Sequence, residues 1–318
     1  MKEITEVESS FLSDVLEGLR SKNKHLSSKY FYDEKGDKLF QRIMHLDEYY
    51  LTNKELEIFQ TQKSAILEAM DEGVPFRIIE LGAGDGLKTK VLLKYFLENG
   101  IDFTYSPVDI SGHVLELLEQ NLLNELPGLK VETYQGDYFD ALSEIGEAGE
   151  KDVVFFLGSN VGNFPGNEAE GFIAKLQAFL NPGDLFFMGV DLKKDPSIIL
   201  SAYNDSQGVT TAFNLNLLDR INSELGGNFD KDQFLHYPYY NPQTGECRSY
   251  LISKKDQTIT INGEEIHFRA WEAIFMEVSK KYDEVQLNEL SSLTGFKQIE
   301  IFKDAQNWFA DVLWQVEE

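Results

Sequence analysis

The sequence predicts an α/β fold in which a mostly parallel sheet is covered by helices on both faces. The main evidence is a regular alternation over residues 76–196, where short apolar segments are followed by helical ones. Strands joined through helical crossovers produce this pattern and run parallel to one another. Two further observations agree: a glycine-rich turn directly follows the first predicted strand, and a helical lead-in precedes it. Ligands of such sheets bind at the carboxyl ends of the strands.

The individual elements follow from hydrophobic periodicity. Apolar residues at helical spacing predict helices over 12–19, around 39–43 and over 53–70. Sheet strands are predicted at 76–81, 103–108, 129–134, 153–157 and 185–190, with helices beginning near Lys88, Val114, Asn167 and Pro196. An antiparallel insert is then predicted, with strands at 234–240, 247–253, 258–261 and 266–270. A last helix at 283–294 and two strands at 296–302 and 308–316 are expected to rejoin the sheet as a terminal hairpin.

Composition excludes several classes of partner. The 318 residues include 54 acids and 29 bases, and the resulting net charge of −25 argues against nucleic acid and anionic membranes as partners. Cys247 is the only cysteine, so no internal disulfide can form, and the five histidines lack metal-ligand spacing, so we expect no metal. The N-terminus is acidic and amphipathic and does not resemble an export signal, and no stretch is apolar enough to span a membrane. We therefore expect a cytoplasmic monomer.

The glycine-rich turn reads Glu-Leu-Gly-Ala-Gly-Asp-Gly over residues 80–86. Glycines accept positive φ and let a ligand approach the main chain, and the helix that follows offers unpaired N–H groups. A phosphate loop would end in Gly-Lys-Ser/Thr, which is absent, and a dinucleotide motif would place its third glycine at Leu87. The spacing resembles the first motif of S-adenosylmethionine-dependent methyltransferases.

Two acids follow the next predicted strands. Asp109 ends the second strand, where its carboxylate can accept both ribose hydroxyls of such a cofactor, and Asp137 follows the third, where it suits the adenine amino group beside Tyr138. The alternative is that each acid caps a turn or a helix. Signals at the ends of three successive strands favour a cofactor site.

Family-specific words run in order from Lys29 to Tyr282. They are KYFYD (29–33), LFQRI (39–43), EYYLT (48–52), FLGSNVGN (156–163), GVDLKKD (189–195), AYND (202–205), GVTTAFN (208–214) and EVS (277–279). These words resemble the histidine-specific N-alpha-methyltransferases of ergothioneine biosynthesis. The resemblance implies a class I methyltransferase with a Rossmann-like, seven-stranded sheet and a discontinuous α+β substrate-binding domain. The cofactor domain is expected at 55–196 and 282–318, and the substrate domain at 1–54 and 197–281.

The resemblance also implies roles for individual residues. For the cofactor, the glycine motif supplies Glu80 and Gly84, and the resemblance adds Gly82, Lys88, Asp109, Asp137 and Tyr138. For the amino-acid substrate, it assigns Asn163 and Tyr203 to the carboxylate, Tyr32 and the loop at Gly158 to the amine, and Tyr49, Glu277 and Ser279 to the imidazole. Tyr32 is the candidate that orients the amine for catalysis. Ser249 stands where the family carries a methionine that shapes the side-chain pocket.

Each of these residues also has a purely structural explanation. Tyr32 and Tyr49 lie in an aromatic segment and are equally explained as core residues. Asn163 can cap the following helix, and Glu277 with Ser279 can form a solvated strand face.

The predicted function is transfer of the sulfonium methyl to the α-amine of L-histidine, up to the trimethylated betaine hercynine, with S-adenosylhomocysteine as the second product. Ser249 leaves another amino acid open as the substrate, such as a tryptophan derivative or tyrosine. A non-catalytic protein that binds the cofactor or an amino acid is the other alternative.

Overall fold

The computed structural model describes residues 6–146 and 151–317, with side chains from residue 10 onward. The chain divides into two compact units. Unit 1 comprises the described residues up to Tyr50 together with Lys194–Ser279, and unit 2 comprises Leu51–Lys193 and the residues from Lys280 onward. These boundaries lie a few residues before the domain boundaries that the sequence predicts after residues 54, 196 and 281.

Helices and strands in the described residues follow the predicted order, with three further elements at 138–145, 209–225 and 273–280 that were not predicted. The helices are α1 (Glu6–Arg20), α2 (Glu34–Met44), α3 (Leu51–Met70), α4 (Thr89–Glu98), α5 (Gly112–Glu125), α6 (Tyr138–Ile145), α7 (Glu168–Gln177), α8 (Pro196–Tyr203), α9 (Val209–Leu225) and α10 (Glu284–Leu293). The strands are β1 (Phe76–Leu81), β2 (Phe103–Asp109), β3 (Lys130–Val131), β4 (Tyr134–Gln135), β5 (Lys151–Phe156), β6 (Leu185–Asp191), β7 (Phe234–Asn241), β8 (Glu246–Ser253), β9 (Gln257–Ile261), β10 (Glu264–Phe268), β11 (Ala273–Lys280), β12 (Phe296–Lys303) and β13 (Phe309–Val316). No helix among them is long and apolar enough to cross a membrane.

Unit 2 is built on one mostly parallel sheet with the order β12-β13-β6-β5-β1-β2-β3, in which β4 also pairs with β2. The pairs β1–β2, β1–β5 and β5–β6 are parallel, whereas β13 is antiparallel to both β12 and β6. The predicted α/β class and the terminal hairpin are therefore confirmed. From β1 the chain passes first to β2 and later to β5 on the other side, and ligands bind at such a reversal of strand order.

The strand predicted at residues 129–134 is not continuous. It forms two two-residue strands, β3 and β4, and both pair only with β2. Between them, Glu132 and Thr133 are exposed polar residues. The strand lies at the sheet edge, where no second neighbour stabilises it, so the chain leaves the ladder at these residues.

Unit 1 contains two small sheets packed with helices. One sheet has the order β11-β8-β7, with β7 and β8 antiparallel, and the other is the antiparallel hairpin β9–β10. Helix α9 was not predicted, because its first turns carry β-branched residues and asparagines, which are weak helix formers. Its buried face, including Phe213, Leu217 and Ile221, belongs to the core of unit 1, and this packing outweighs the weak propensity.

Candidate active site

The glycine turn after β1 has the backbone geometry that its sequence predicts. Gly82, Gly84 and Gly86 all have positive φ, at 74°, 54° and 62°. The amides of Gly82 and Ala83 donate to the carbonyl of Val108 at 2.9 and 3.2 Å, which ties the turn to β2. A Cβ on Gly82 would lie 3.0 Å from the Tyr138 hydroxyl, whereas a Cβ on Gly84 would meet nothing within 4 Å. The turn is therefore closed by Tyr138 on one side and open at Gly84.

Asp109 is tied to this turn from the end of β2. Its Oδ2 accepts a hydrogen bond from the Gly84 amide at 3.2 Å, and its Oδ1 accepts one from the Ser111 amide at 3.0 Å. The side chain is half-buried. Each carboxylate oxygen can accept more than one hydrogen bond, so Asp109 retains capacity for ligand hydroxyls.

Asp137 and Tyr138 begin α6 beside the same sheet edge. Asp137 caps this helix, because its Oδ1 accepts a hydrogen bond from the Phe139 amide at 3.1 Å. The capping alternative for Asp137 is thus correct, and it leaves Oδ2 for another partner. Burial, followed by the charges of Asp109 and Asp137, raises the pKa of Tyr138 to about 12, so its phenol stays protonated as a donor.

Glu80 is buried at the end of β1 and is fully engaged within the protein. The Tyr105 hydroxyl donates to Oε2 at 2.6 Å, and the Thr89 hydroxyl donates to Oε1 at 2.7 Å. Burial raises the pKa of Glu80 to about 7, although both hydrogen bonds act to lower it. Glu80 therefore connects β1 to β2 and to the first residue of α4.

Lys88 lies at the start of α4 and forms an ion pair with Glu55 of α3. The other Glu55 oxygen, Oε1, accepts a hydrogen bond from the Gly158 amide at 2.7 Å. Glu55 was missed by sequence reasoning, although a signal exists. It occupies a position of the buried face of α3 that is otherwise formed by residues such as Leu51, Ile58 and Phe59.

Two predicted substrate residues of unit 1, Tyr32 and Tyr49, both pack against the ring of Phe40. The Phe40 ring lies 5.6 Å from the Tyr32 ring and 6.4 Å from the Tyr49 ring, and Phe213 of α9 lies 5.7 Å from Tyr32 and 5.9 Å from Phe40. We call Tyr32, Phe40, Tyr49 and Phe213 the aromatic cluster. Tyr32 is 48% exposed, so it is not a core residue. Phe40 and Phe213 were not predicted as site residues.

Helix α9 also contacts the predicted imidazole-binding segment. Asn214, which follows Phe213, donates a hydrogen bond through Nδ2 to Glu277 Oε1 at 3.4 Å and to the Thr210 carbonyl at 3.1 Å. Glu277 of β11 is half-buried, so it is not a fully solvated strand residue. Asn214 was likewise missed, although it is the last residue of the family word GVTTAFN (208–214).

The remaining predicted substrate residues lie outside the aromatic cluster. Tyr203 ends α8 and is buried, Ser279 is buried on β11, and Ser249 of β8 is 1% exposed. The Ser249 hydroxyl makes no hydrogen bond within the described residues. Gly158 and Asn163 belong to unit 2, where Gly158 precedes the short 3-10 helix after β5 and Asn163 is its last residue. Asn163 does not cap α7, whose N-cap is Asn167.

Comparison with known proteins decides the family. The sequence model described as "Histidine-specific methyltransferase, SAM-dependent" matches residues 11–316, where SAM is S-adenosylmethionine. The chain belongs to this family. The predicted family and the predicted S-adenosylmethionine-dependent methyltransferase activity are therefore confirmed. Together with the sheet order, the match confirms the class I methyltransferase fold.

Two relatives above 30% identity agree with this assignment. The histidine N-alpha-methyltransferase of Mycolicibacterium smegmatis is 35% identical over 272 residues, which cover 85% of this chain and 83% of that protein. The histidine N-alpha-methyltransferase of Mycobacterium tuberculosis is 33% identical over 294 residues, covering 92% and 90%. Among solved structures, an S-adenosylmethionine-dependent methyltransferase from Clostridium acetobutylicum has a TM-score of 0.43 at 14% identity, covering 89% of this chain and 96% of that one. Within the described residues, no group of three or more His, Cys, Asp or Glu is arranged to hold a metal ion.

Proposed function

We propose that this protein methylates the α-amino group of L-histidine with S-adenosylmethionine and proceeds to the trimethylated betaine. The observation that carries the proposal is the match to the histidine-specific family over residues 11–316. The half-buried Glu277 supports histidine over an apolar amino acid, because its carboxylate can accept a hydrogen bond from an imidazole N–H, which an apolar side chain does not offer.

The residues around the glycine turn fit S-adenosylmethionine. Gly84 leaves open space beside the main chain, Asp109 has free acceptor capacity, and Tyr138 is a protonated phenol. We propose that Gly82, Gly84, Lys88, Asp109, Asp137 and Tyr138 hold the cofactor. Glu80 then positions the turn without touching the cofactor, since its side chain is buried against Tyr105 and Thr89. When bound, the cofactor supplies a methyl group on a sulfonium, which is a good leaving group.

The chain's own residues then have to orient the amine and keep it neutral. We propose that the Tyr32 phenol orients the substrate nitrogen, and that Asn163 and Tyr203 donate to the carboxylate without burying a further charge. The faces of the aromatic cluster suit an amine that gains fixed positive charge as methyl groups accumulate, because aromatic rings attract quaternary ammonium. This attraction supports repeated methylation of one substrate.

The direct test is turnover of purified protein with S-adenosylmethionine and each amino acid in turn, followed by mass spectrometry. We expect histidine to give products with one, two and three added methyl groups, together with S-adenosylhomocysteine. If tryptophan or tyrosine is turned over faster than histidine, that amino acid is the substrate. Such a result would indicate that Ser249 widens the side-chain pocket. Tight cofactor binding without any methylated product would favour the non-catalytic alternative.

Substitution of Glu277 tests the assignment of the imidazole site. Glu277→Ala should raise KM for histidine roughly tenfold or more, because a hydrogen bond to a charged group contributes about 1.5–3 kcal/mol. The affinity for S-adenosylhomocysteine, measured by calorimetry, should stay unchanged. Glu265→Ala is the control, since Glu265 is an exposed acid on β10 of the same unit. Histidine kinetics unaffected by Glu277→Ala would remove the basis for the imidazole assignment.

Substitution of Gly82 tests the cofactor site with a matched control. Gly82 and Gly100 have nearly equal positive φ, 74° and 73°, so alanine should destabilise both by about 1 kcal/mol. Only at Gly82 would the new Cβ meet the Tyr138 hydroxyl, since Gly100 has nothing within 4 Å. We expect Gly82→Ala to raise the Kd of S-adenosylhomocysteine at least tenfold and Gly100→Ala to leave it unchanged. Equal affinities of the two variants would place the cofactor elsewhere.

A further inference from the structure

Glu55 connects two segments that have separate roles in the proposed function. One carboxylate oxygen pairs with Lys88, which is assigned to the cofactor, and the other accepts the Gly158 amide at 2.7 Å, in the loop assigned to the substrate amine. The Glu55 side chain is completely buried, whereas the Lys88 side chain keeps 21% of its surface exposed. An ammonium carries three donors, so Lys88 can hold Glu55 and still present an N–H outward.

The space for Glu55 depends on a glycine in β6. A Cβ on Gly189 would overlap Glu55 Oε1 and would lie 3.2 Å from Asp311 Oδ1. Asp311 is the β13 residue directly opposite Gly189 in the sheet register, and it is completely buried. Gly189 therefore allows two acidic side chains to occupy one buried site.

The charges at this site require a proton on one of the acids. Glu55 of α3, Glu80 of β1 and Asp311 of β13 all lie near enough to Lys88 to stabilise its charge. Burial, followed by the negative charge of Glu55, raises the pKa of Asp311 well above its ordinary value. Neither Asp311 oxygen accepts a hydrogen bond from any described donor, as expected if Asp311 is itself protonated and donates to Glu55. Burial lowers the pKa of Lys88, but the attraction of Glu55 outweighs this and keeps the amine charged.

We propose that Glu55 is a positioning residue that fixes Lys88 and the Gly158 amide together, and that Asp311 holds Glu55 in place by donating a hydrogen bond from its protonated carboxyl. The inference rests on the proposed function for the roles of Lys88 and Gly158. Glu55 acts through these two groups and does not itself touch a reacting atom. Its carboxylate keeps Lys88 charged and oriented throughout the neutral pH range.

The test is calorimetric binding of S-adenosylhomocysteine to the full-length protein between about pH 6 and 9, within which an ordinary lysine stays charged. The wild type should show only a small change in Kd, and any part of it that comes from Glu80, whose pKa of about 7 lies in this range, is common to wild type and variants. In Glu55→Gln, Lys88 loses its counter-charge and burial lowers its pKa, so the Kd should rise at least tenfold between the two ends of this range. Asp311→Asn should retain the wild-type profile because an amide can replace the O–H donor, whereas Asp311→Ala should not. The control is Glu125→Gln, which removes the partner of Lys90 on the surface of the same unit.

Several outcomes would overturn the proposal. A Kd that changes with pH no more in Glu55→Gln than in the wild type would mean that Glu55 is a structural residue only. Equal loss of cofactor affinity in Asp311→Asn and Asp311→Ala would contradict a hydrogen bond donated by a protonated Asp311 carboxyl. If Glu55→Gln does not fold, side-chain NMR of the wild type is the test. The pKa of Lys88 should lie above that of an ordinary lysine, and an ordinary pKa would contradict the proposal. These binding measurements do not involve histidine. If histidine is not the substrate, their results stay the same, and the error shows only in the turnover assay.

Discussion

At the scale of single residues, acids that read alike in the sequence have different surroundings. Asp109 and Asp137 each accept a main-chain amide and keep a half-buried or exposed position at the sheet edge. Glu80, although it belongs to the glycine motif, is buried with hydroxyl donors on both oxygens. Of the three acids, Asp109 and Asp137 can therefore contact a ligand, whereas Glu80 supports the turn.

The raised pKa of Glu80 predicts a pH dependence of stability. The folded value of about 7 lies above the ordinary 4.5, so the native state binds this proton more tightly than the unfolded chain does. This difference contributes about 3 kcal/mol to the free energy of unfolding. The contribution is fully present below pH 4.5 and is lost as the pH rises through 7. Glu80→Gln should flatten this decline in urea unfolding at pH 5 and pH 8.

The matched control is Glu116→Gln, which alters an exposed acid on α5 and should leave the decline unchanged. If the loss of stability between pH 5 and pH 8 persists in full in Glu80→Gln, it comes from other buried acids. Asp311 is the first of these to test.

At the scale of elements, α9 contacts two groups of predicted substrate residues in unit 1. It supplies Phe213 to the aromatic cluster and Asn214 to Glu277, and its apolar face packs in the core of the unit. Its start is held by Asp205, whose two carboxylate oxygens accept the Val209 and Thr210 amides at 2.9 and 2.7 Å. A helix with weak intrinsic propensity depends strongly on such bonds.

We expect Asp205→Ala to lower the free energy of unfolding by about 2 kcal/mol, because it leaves the two amides of a buried helix start unpaired. Asp195→Ala is the comparison. Asp195 caps α8 through the Ser197 amide but is exposed, so water can replace it and the loss should be about 0.5–1 kcal/mol. Denaturant unfolding of both variants measures the difference, and equal losses would show that burial of Asp205 contributes nothing.

At the scale of the whole molecule, the dominant property is the net charge of −25. Many of the ion pairs of the described residues, such as Arg20–Glu264 and Lys130–Asp102, are largely exposed, and pairs of this kind contribute only about 0–1 kcal/mol each. Repulsion among the unpaired acids should therefore exceed the attraction of the surface pairs.

This balance predicts that salt stabilises the protein. The urea midpoint at pH 7 should rise as sodium chloride increases from about 0.01 to 0.5 M, because the Debye length falls from about 30 Å to a few ångströms. Potassium chloride should act equally, since screening depends on ionic strength alone. A midpoint that falls with salt would mean that the surface ion pairs outweigh the repulsion.

The sequence by itself determined the sheet, the glycine turn and the acids at the strand ends. These features depend on local patterns: β1 is a run of six buried residues, and the turn requires glycines at three positive-φ positions. The family words were equally local, which is why the class of enzyme could be predicted before any contact was known.

Only the tertiary structure decided which distant residues meet. Glu55, Lys88, Gly158 and Asp311 lie on four separate segments, and their shared site exists because Gly189 leaves room between them. Helix α9 and the break between β3 and β4 likewise depend on packing and on a missing edge neighbour. Periodicity records how one element is buried, but it carries no information on which buried polar groups from different elements share a site, because their pairing is set by the packing of the whole unit.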